Sequence, residues 1–302
     1  MKLGFGLPVS GSWATPANIR RVAQDAEANG FASLWSFQRW LADESLPPVY
    51  QSVLDPMVAL GFAAAVTERV RLGTAIVNAP FYAPVALAKQ FASLDVLSSG
   101  RVDIGLGLGW APYEYSAAGV PTDGRGKRFA EWLRCFDVLM TSDGPVEFAG
   151  EYYTVEPTRI APAPVQRPRP PVLLGGTAPA ALRRAGAQAD GWISSSRLSL
   201  ADVRASVVAV RDAAEQVGKA RDEVRCIVRG VTQLRDSDDA KGALSGTLDK
   251  IRDGLATYAA AGVDEVFLDL NFDNQLVGNP AADPQQALDI AATLMPLGSE
   301  TF

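Results

Sequence analysis

The sequence predicts a (β/α)8 TIM barrel with insertions, as a single domain over residues 1–302, and three observations carry that reading. Short apolar runs of strand length alternate eight times with longer amphipathic runs of helix length, the pattern of a closed parallel sheet wrapped in helices. The first strand-to-helix turn, GFGLPVSG, lacks the GxGxxG fingerprint of an open dinucleotide-binding sheet. The stretch GRVDIGLGLGWAPYE at Gly100–Glu114 is a strand that gives up its side chains at Gly105, Gly107 and Gly109 before ending in Trp110, Tyr113 and Glu114. Such a strand makes room for another backbone, a ligand, or a tightly packed helix.

The elements follow in order. Leu3–Leu7 alternates as a strand and is closed by Pro8 and Gly11. Thr15 then caps a helix that has Pro16 at its first position and an apolar face of Ile19, Val22, Ala23 and Ala26, and Gly30 stops it. Ser33–Ser36 is the second strand, and Asp55 caps a helix from Pro56. Val70–Asn78 is the third strand and Pro84–Leu97 its helix; Gly100–Gly107 is the fourth, followed by a helix over Lys127–Met140. VEFAGEYYTV at Val146–Val155 predicts a hairpin turning at Ala149–Gly150, and a Pro-rich excursion then runs to Pro171, so an insertion occupies residues 146–171. Val172–Gly175, Gly191–Ser195, Val224–Thr232 and Asp264–Leu270 complete the strands. Helices over Pro179–Ala187, Leu200–Val217, Leu248–Ala261 and Pro284–Leu294 complete the outer layer.

Composition narrows the function. The chain has 302 residues, is 48% hydrophobic and 21% charged, and carries a net charge of -6. An acidic chain of this kind is a poor partner for a phosphate backbone, so nucleic acid is not expected, and no apolar run suggests a membrane. Cys135 and Cys226 are far apart, flanked by apolar residues and in no metal-ligand spacing. Buried free thiols, a cytoplasmic location and no metal are the expectations. The chain contains no histidine. That removes Ser-His-Asp and Cys-His nucleophiles, histidine-ligated zinc and histidine acid–base catalysis.

In a barrel of this type, the carboxyl ends of the strands and the loops beyond them carry the chemistry. Gly175, Gly176 and Thr177 precede a helix, where exposed amides, the helix dipole and a hydroxyl suit a phosphate. An N-cap threonine at an ordinary helix start is the alternative. Ser194, Ser195, Ser196 and Arg197 after the next strand add hydroxyls and a cation beside it. Arg229 is a charge inside an otherwise apolar strand, which in a barrel without edges points to a ligand or an acidic partner. Asp103 and Glu265 read as surface or structural charges, and Asp190 as a turn or helix cap.

These residues resemble the bacterial luciferase-like monooxygenases and their deazaflavin-dependent relatives. The resemblance rests on GFASLW at Gly30–Trp35, the long block Glu68–Trp110 ending SGRVDIGLGLGW, VLLGGT at Val172–Thr177, ADGWI at Ala189–Ile193, and Lys250–Leu270. It implies FMN or coenzyme F420 over the strand ends, with the phosphate near Gly175–Thr177 and Ser194–Arg197. It also implies a non-proline cis peptide at Ala75–Ile76, with Asn78, Gly107 and Trp110 beside the ring. The family's sugar-phosphate dehydrogenases use a histidine after the second strand and a glutamate after the fourth. Here Phe37, Gln38 and Arg39 occupy the first region and Trp110 the second, so alcohol dehydrogenation by that route is not expected. Reduction of an activated double bond or carbonyl is, with Gln38 and Arg39 at the site and a proton from Tyr113, Glu114 or water. The resemblance favours coenzyme F420 and hydride transfer with a small-molecule substrate. The alternatives are an FMN-dependent monooxygenase fed by a separate reductase, and a non-catalytic binder. It also implies a homodimer.

Overall fold

The computed structural model describes all 302 residues. Eight parallel strands form the barrel: β1 (Lys2–Gly6), β2 (Ser33–Ser36), β3 (Arg71–Thr74), β4 (Val102–Gly107), β5 (Val172–Gly175), β6 (Gly191–Ile193), β7 (Arg225–Val231) and β8 (Glu265–Asp269). Their order around the ring is β3-β2-β1-β8-β7-β6-β5-β4, and pairing of β4 with β3 closes it. Nine helices accompany them: α1 (Pro16–Ala28), α2 (Pro56–Ala64), α3 (Pro84–Leu97), α4 (Pro112–Ala117), α5 (Arg125–Thr141), α6 (Pro179–Gln188), α7 (Leu200–Glu215), α8 (Leu248–Ala260) and α9 (Pro284–Leu294). The fold is thus the one read from the strand–helix alternation.

Local chemistry sets the helix starts. The Thr15 hydroxyl accepts the Asn18 amide at 3.2 Å, the Asp55 carboxylate accepts Met57 and Val58, and proline stands in the first turn of both helices. No helix is long and apolar enough to cross a membrane. Both cysteines are free and buried, and burial pushes the thiol of Cys135 up to about 11 and that of Cys226 to about 12.

The barrel interior is layered. At the amino-terminal end, Asp103 is fully buried and accepts Arg71 at 2.7 Å and Arg225 at 2.8 Å, while Arg225 also reaches Glu265 at 3.2 Å. Asp103 and Glu265 are therefore structural and not surface charges. Above them Trp35 stacks on Phe267, with ring centroids 5.3 Å apart, and packs with Leu173, Ile193, Ile227 and Ala75 in a core separate from the one beneath the helices. A Cβ on Gly73 would sit 2.3 Å from the Trp35 ring, so glycine there gives the indole its place.

Three local expectations are corrected. The third strand is interrupted: β3 ends at Thr74 and pairing resumes only at Val77–Asn78. The hairpin strands are Val146–Ala149 and Thr154–Thr158, so the turn spans Gly150–Tyr153, because the buried Glu131 carboxylate accepts the amides of Glu151, Tyr152 and Tyr153. Asp190 ties the Pro-rich excursion to the barrel: it pairs with Arg169 at 2.5 Å and accepts the Val172 amide at 2.7 Å.

Candidate active site

The interruption of β3 builds the floor of a cavity at the carboxyl ends of the strands. The Ala75–Ile76 peptide is cis, as the resemblance implied. The Thr74 hydroxyl donates to the Gly105 carbonyl and accepts the Gly105 amide, both at 2.8 Å, so one side chain holds β4 where the ladder breaks. The Ile76 side chain then lies against Gly107 and Gly175, whose Cβ atoms would meet it at 2.5 Å and 3.3 Å. Glycines of the fourth strand thus make room for the backbone and side chain of the third. The Gln38 carbonyl accepts the Asn78 amide at 2.7 Å and its amide donates to the Tyr82 hydroxyl at 2.6 Å, which fixes the far end of the bulge. Gln38 is accordingly a positioning residue.

On one side of this floor lie the two polar loops. Gly176 has φ +137°, and its carbonyl accepts the Trp192 indole at 2.8 Å. The N-cap of α6 is Ala178, which has no side-chain bond to the helix, so the capping-threonine alternative does not hold. The amides of Thr177, Ala178 and Ala180 have no acceptor within the protein. Unpaired amides at a helix start are anion donors. Ser195, Ser196 and Arg197 face the same space from the next loop, whereas the Ser194 hydroxyl is used to accept the Arg229 amide at 2.9 Å.

Across the barrel stands an aromatic and cationic wall. Arg39 is stacked between Tyr50 and Trp110, at 4.7 Å and 4.5 Å from their ring centres, and pairs with Glu114 at 3.0 Å. Arg229 lies among Phe37, Phe267 and Phe272 and faces Asp269 at 3.5 Å. Burial lowers the Arg229 pKa and raises that of Asp269, each charge being held away from water that would solvate it.

The cavity, open to solvent at its mouth, is about 560 Å³, the size of a cofactor site, and four arginines line it (Arg39, Arg125, Arg197 and Arg229) with no carboxylate. Ala75, Ile76, Asn78, Gly107, Trp110, Gly175–Thr177, Ser194–Arg197, Gln38, Arg39 and Arg229 are brought together there as the sequence suggested. Tyr113 and Glu114 are not. Tyr113 lies behind Arg39, its hydroxyl 3.3 Å from that guanidinium, and Glu114 is 1% exposed. Phe37, from the segment after the second strand, and Tyr50, from the loop Trp40–Leu54 that the sequence places over the pocket, line the cavity, as does Arg125, which the sequence did not single out. Tyr50 arrives from a one-turn helix after β2 (Pro48–Tyr50), and Arg125 from the start of α5, a position that no spacing announces.

Glu114 fastens this wall. Beyond Arg39, its carboxylate accepts the Trp40 amide at 2.8 Å and the Leu41 amide at 3.3 Å. Glu114→Ala leaves a buried guanidinium unpaired, which costs on the order of 3–5 kcal/mol. The variant is expected to melt well below the parent while changing cofactor affinity less than about tenfold, since Glu114 itself does not face the cavity. Paired melting and binding curves test this; an unaltered melting temperature overturns the positioning role.

The family model for luciferase-like monooxygenases matches residues 5–242. The chain belongs to that family. Among its relatives is an uncharacterised protein of Mycobacterium tuberculosis, 36% identical over 211 residues, covering 65% of this chain and 73% of the relative. The FMNH2-dependent dimethylsulfone monooxygenase of Pseudomonas putida is 30% identical over 236 residues, covering 77% of this chain and 62% of the relative. The F420-dependent tetrahydromethanopterin reductase of Methanopyrus kandleri has the same fold, with a TM-score of 0.77 at 19% identity over 99% of this chain and 98% of that one. As a luciferase-like protein, the chain falls in a family of monooxygenases and related oxidoreductases, and the Methanopyrus kandleri enzyme shares its fold.

Proposed function

We propose that this protein is an oxidoreductase that uses coenzyme F420 to exchange a hydride with a small organic substrate. One observation carries the preference: Arg125 and Arg197 stand exposed at the mouth beside the phosphate loops, and neither is paired with a carboxylate within 4 Å. FMN ends in its phosphate, whereas the deazaflavin continues past its phosphate into a carboxylate-bearing tail. A guanidinium in the phosphate loop and a second on the rim, neither held by a carboxylate, suit the longer anion.

The residues present fit such a group. The free amides of Thr177, Ala178 and Ala180 with Ser195 and Ser196 would hold the phosphate, and the Ile76 bulge flanked by Gly107 and Gly175 gives a flat apolar bed for the ring. When bound, the deazaflavin supplies hydride transfer at carbon and no activation of oxygen. Trp110, Tyr50 and Phe37 cover the substrate side and exclude water. Tyr50 is the one cavity-lining side chain besides the serines and Thr177 that carries a transferable hydroxyl proton, so it takes the proton-donor role that Tyr113 and Glu114 are placed too far back to fill.

Fluorescence titration of the pure protein with oxidised F420 and, separately, with FMN tests the assignment. Micromolar or tighter binding of F420, at least about tenfold tighter than FMN, is expected. The reverse preference overturns it in favour of a monooxygenase supplied with reduced FMN by a separate reductase, the reading favoured by the identity to the Pseudomonas putida enzyme.

A further inference from the structure

The Arg229 guanidinium is a buried cation without a hydrogen bond. Its side chain is 8% exposed, its Nε is enclosed without a partner, and of the residue's nitrogens only the backbone amide donates to a protein acceptor, the Ser194 hydroxyl. Its sole counter-charge, Asp269, brings Oδ2 to 3.5 Å from the Nε without bonding geometry, while the other oxygen, Oδ1, accepts the Asn271 amide at 3.1 Å and the Asn271 side chain at 2.8 Å. Three phenyl rings surround the guanidinium at 4.8–5.6 Å, and none offers an acceptor in the plane where its N–H groups point. Buried donors are ordinarily satisfied, and a guanidinium stripped of water most of all. Arg229 nevertheless opens onto the cavity, so the missing acceptor comes from whatever the cavity holds.

The position in the barrel decides which part of the contents that is. The phosphate loops follow β5 and β6, and the ring bed follows β3 and β4. Arg229 belongs to β7, beside β6, and its backbone amide bonds the Ser194 hydroxyl at 2.9 Å, but its side chain leans the other way, toward β8 and the loop after β2, where Phe272 and Phe37 arise. Phe37 and Tyr50 line the cavity beside it, their rings edge to face with centroids 6.4 Å apart, and Arg39 lies over the Tyr50 ring. We propose that this well binds the carboxylate of the substrate, and that the substrates are small planar carboxylic acids whose unsaturated body lies against Phe37 and Tyr50. A carboxylate matches the forked donors of a guanidinium two oxygens to two N–H groups, and an unsaturated body packs edge or face against the rings beside it. The substrate class rests on the cofactor assignment above; the anion well does not.

Binding of formate, benzoate and trans-cinnamate, with benzamide and trans-cinnamamide as uncharged counterparts, is measured by calorimetry on the free protein and on protein saturated with F420. The expected result is that benzoate or cinnamate binds at least about tenfold tighter than its amide. Arg229→Met is expected to remove that preference while leaving F420 affinity within about threefold. Since Arg229→Met strands Asp269, Arg229→Met/Asp269→Asn serves as the companion variant with no buried charge left over. Equal binding of acid and amide to the unaltered protein, or no binding of any of the three acids at millimolar concentration, overturns the well. So does a loss of F420 affinity in both variants with carboxylate binding unchanged, which assigns Arg229 to the cofactor ring. Failure of the unaltered protein to bind F420 overturns the cofactor assignment alone, because the acid-over-amide preference is read on the free protein as well.

Discussion

Gly176→Asp is expected to abolish cofactor binding, with an affinity at least about 100-fold below that of Gly176→Asn. The two variants share size and shape, so the comparison isolates charge. Gly176 sits between the free amides of the following loop and the serines of the next, with φ +137°, and a Cβ there would stand 2.7 Å from that of Ala181. Both substitutions therefore pay the same backbone strain, of order 1–3 kcal/mol. Only aspartate sets a carboxylate against the phosphate. At about 4 Å and an effective dielectric near 20, each like-charge pair costs about 4 kcal/mol, more than two powers of ten in affinity. Titration of both variants with F420 and with FMN decides the matter, since the two cofactors share the phosphate. Equal affinities for the two variants would remove the phosphate from this loop.

Much of this was legible in the sequence, and the part that was not has a physical reason. Strand periods and caps depend on neighbours a few residues apart, so Ser33–Ser36, Val172–Gly175 and Pro84–Leu97 were read with their observed bounds. The phosphate loops were legible because glycine and serine at a strand end mean exposed amides and hydroxyls wherever the chain goes. Arg229 stood out for a similar reason, a cation in an apolar strand. Glu114 misled because a carboxylate beside a glycine-rich strand end looks reactive. Its burial under Arg39 and the amides of Trp40 and Leu41 depends on a loop distant in the sequence, 74 and 73 residues away at the two amides. Tyr50 was legible only as part of the loop Trp40–Leu54 that covers the pocket, and Arg125 was missed for the converse reason: nothing local marks an arginine at a helix start. The break in β3 was reached only through resemblance, since Val70–Asn78 alternates like an unbroken strand. What disrupts it lies on β4, in glycines whose purpose the sequence left open.

Those glycines give the sharpest contrast between fold and site. Gly105→Ala and Gly107→Ala add the same methyl group two residues apart on one strand, and they are expected to fail differently. At Gly105 the new Cβ would lie 1.8 Å from the Thr74 carbonyl oxygen and 2.9 Å from its carbon, both backbone atoms of a neighbouring strand. The strands must part, and both 2.8 Å bonds between Thr74 and Gly105 are lost in a region without water. Overpacking of about 1–3 kcal/mol and two unsatisfied buried groups of about 1–3 kcal/mol each bring the cost near 5 kcal/mol. The melting temperature should then fall by at least about 10 °C, or the protein should not accumulate. At Gly107 the added carbon meets the terminal methyl of Ile76 at 2.5 Å, a flexible side chain that can turn away. The only free direction is into the cavity, so the chain folds and the ring bed is spoiled. Gly107→Ala should melt within a few degrees of the parent yet bind the cofactor at least about tenfold more weakly. A Gly107 variant that binds normally would show that the cofactor ring does not rest on Ile76, whereas a stable Gly105 variant would mean that β3 and β4 are not in contact at Thr74.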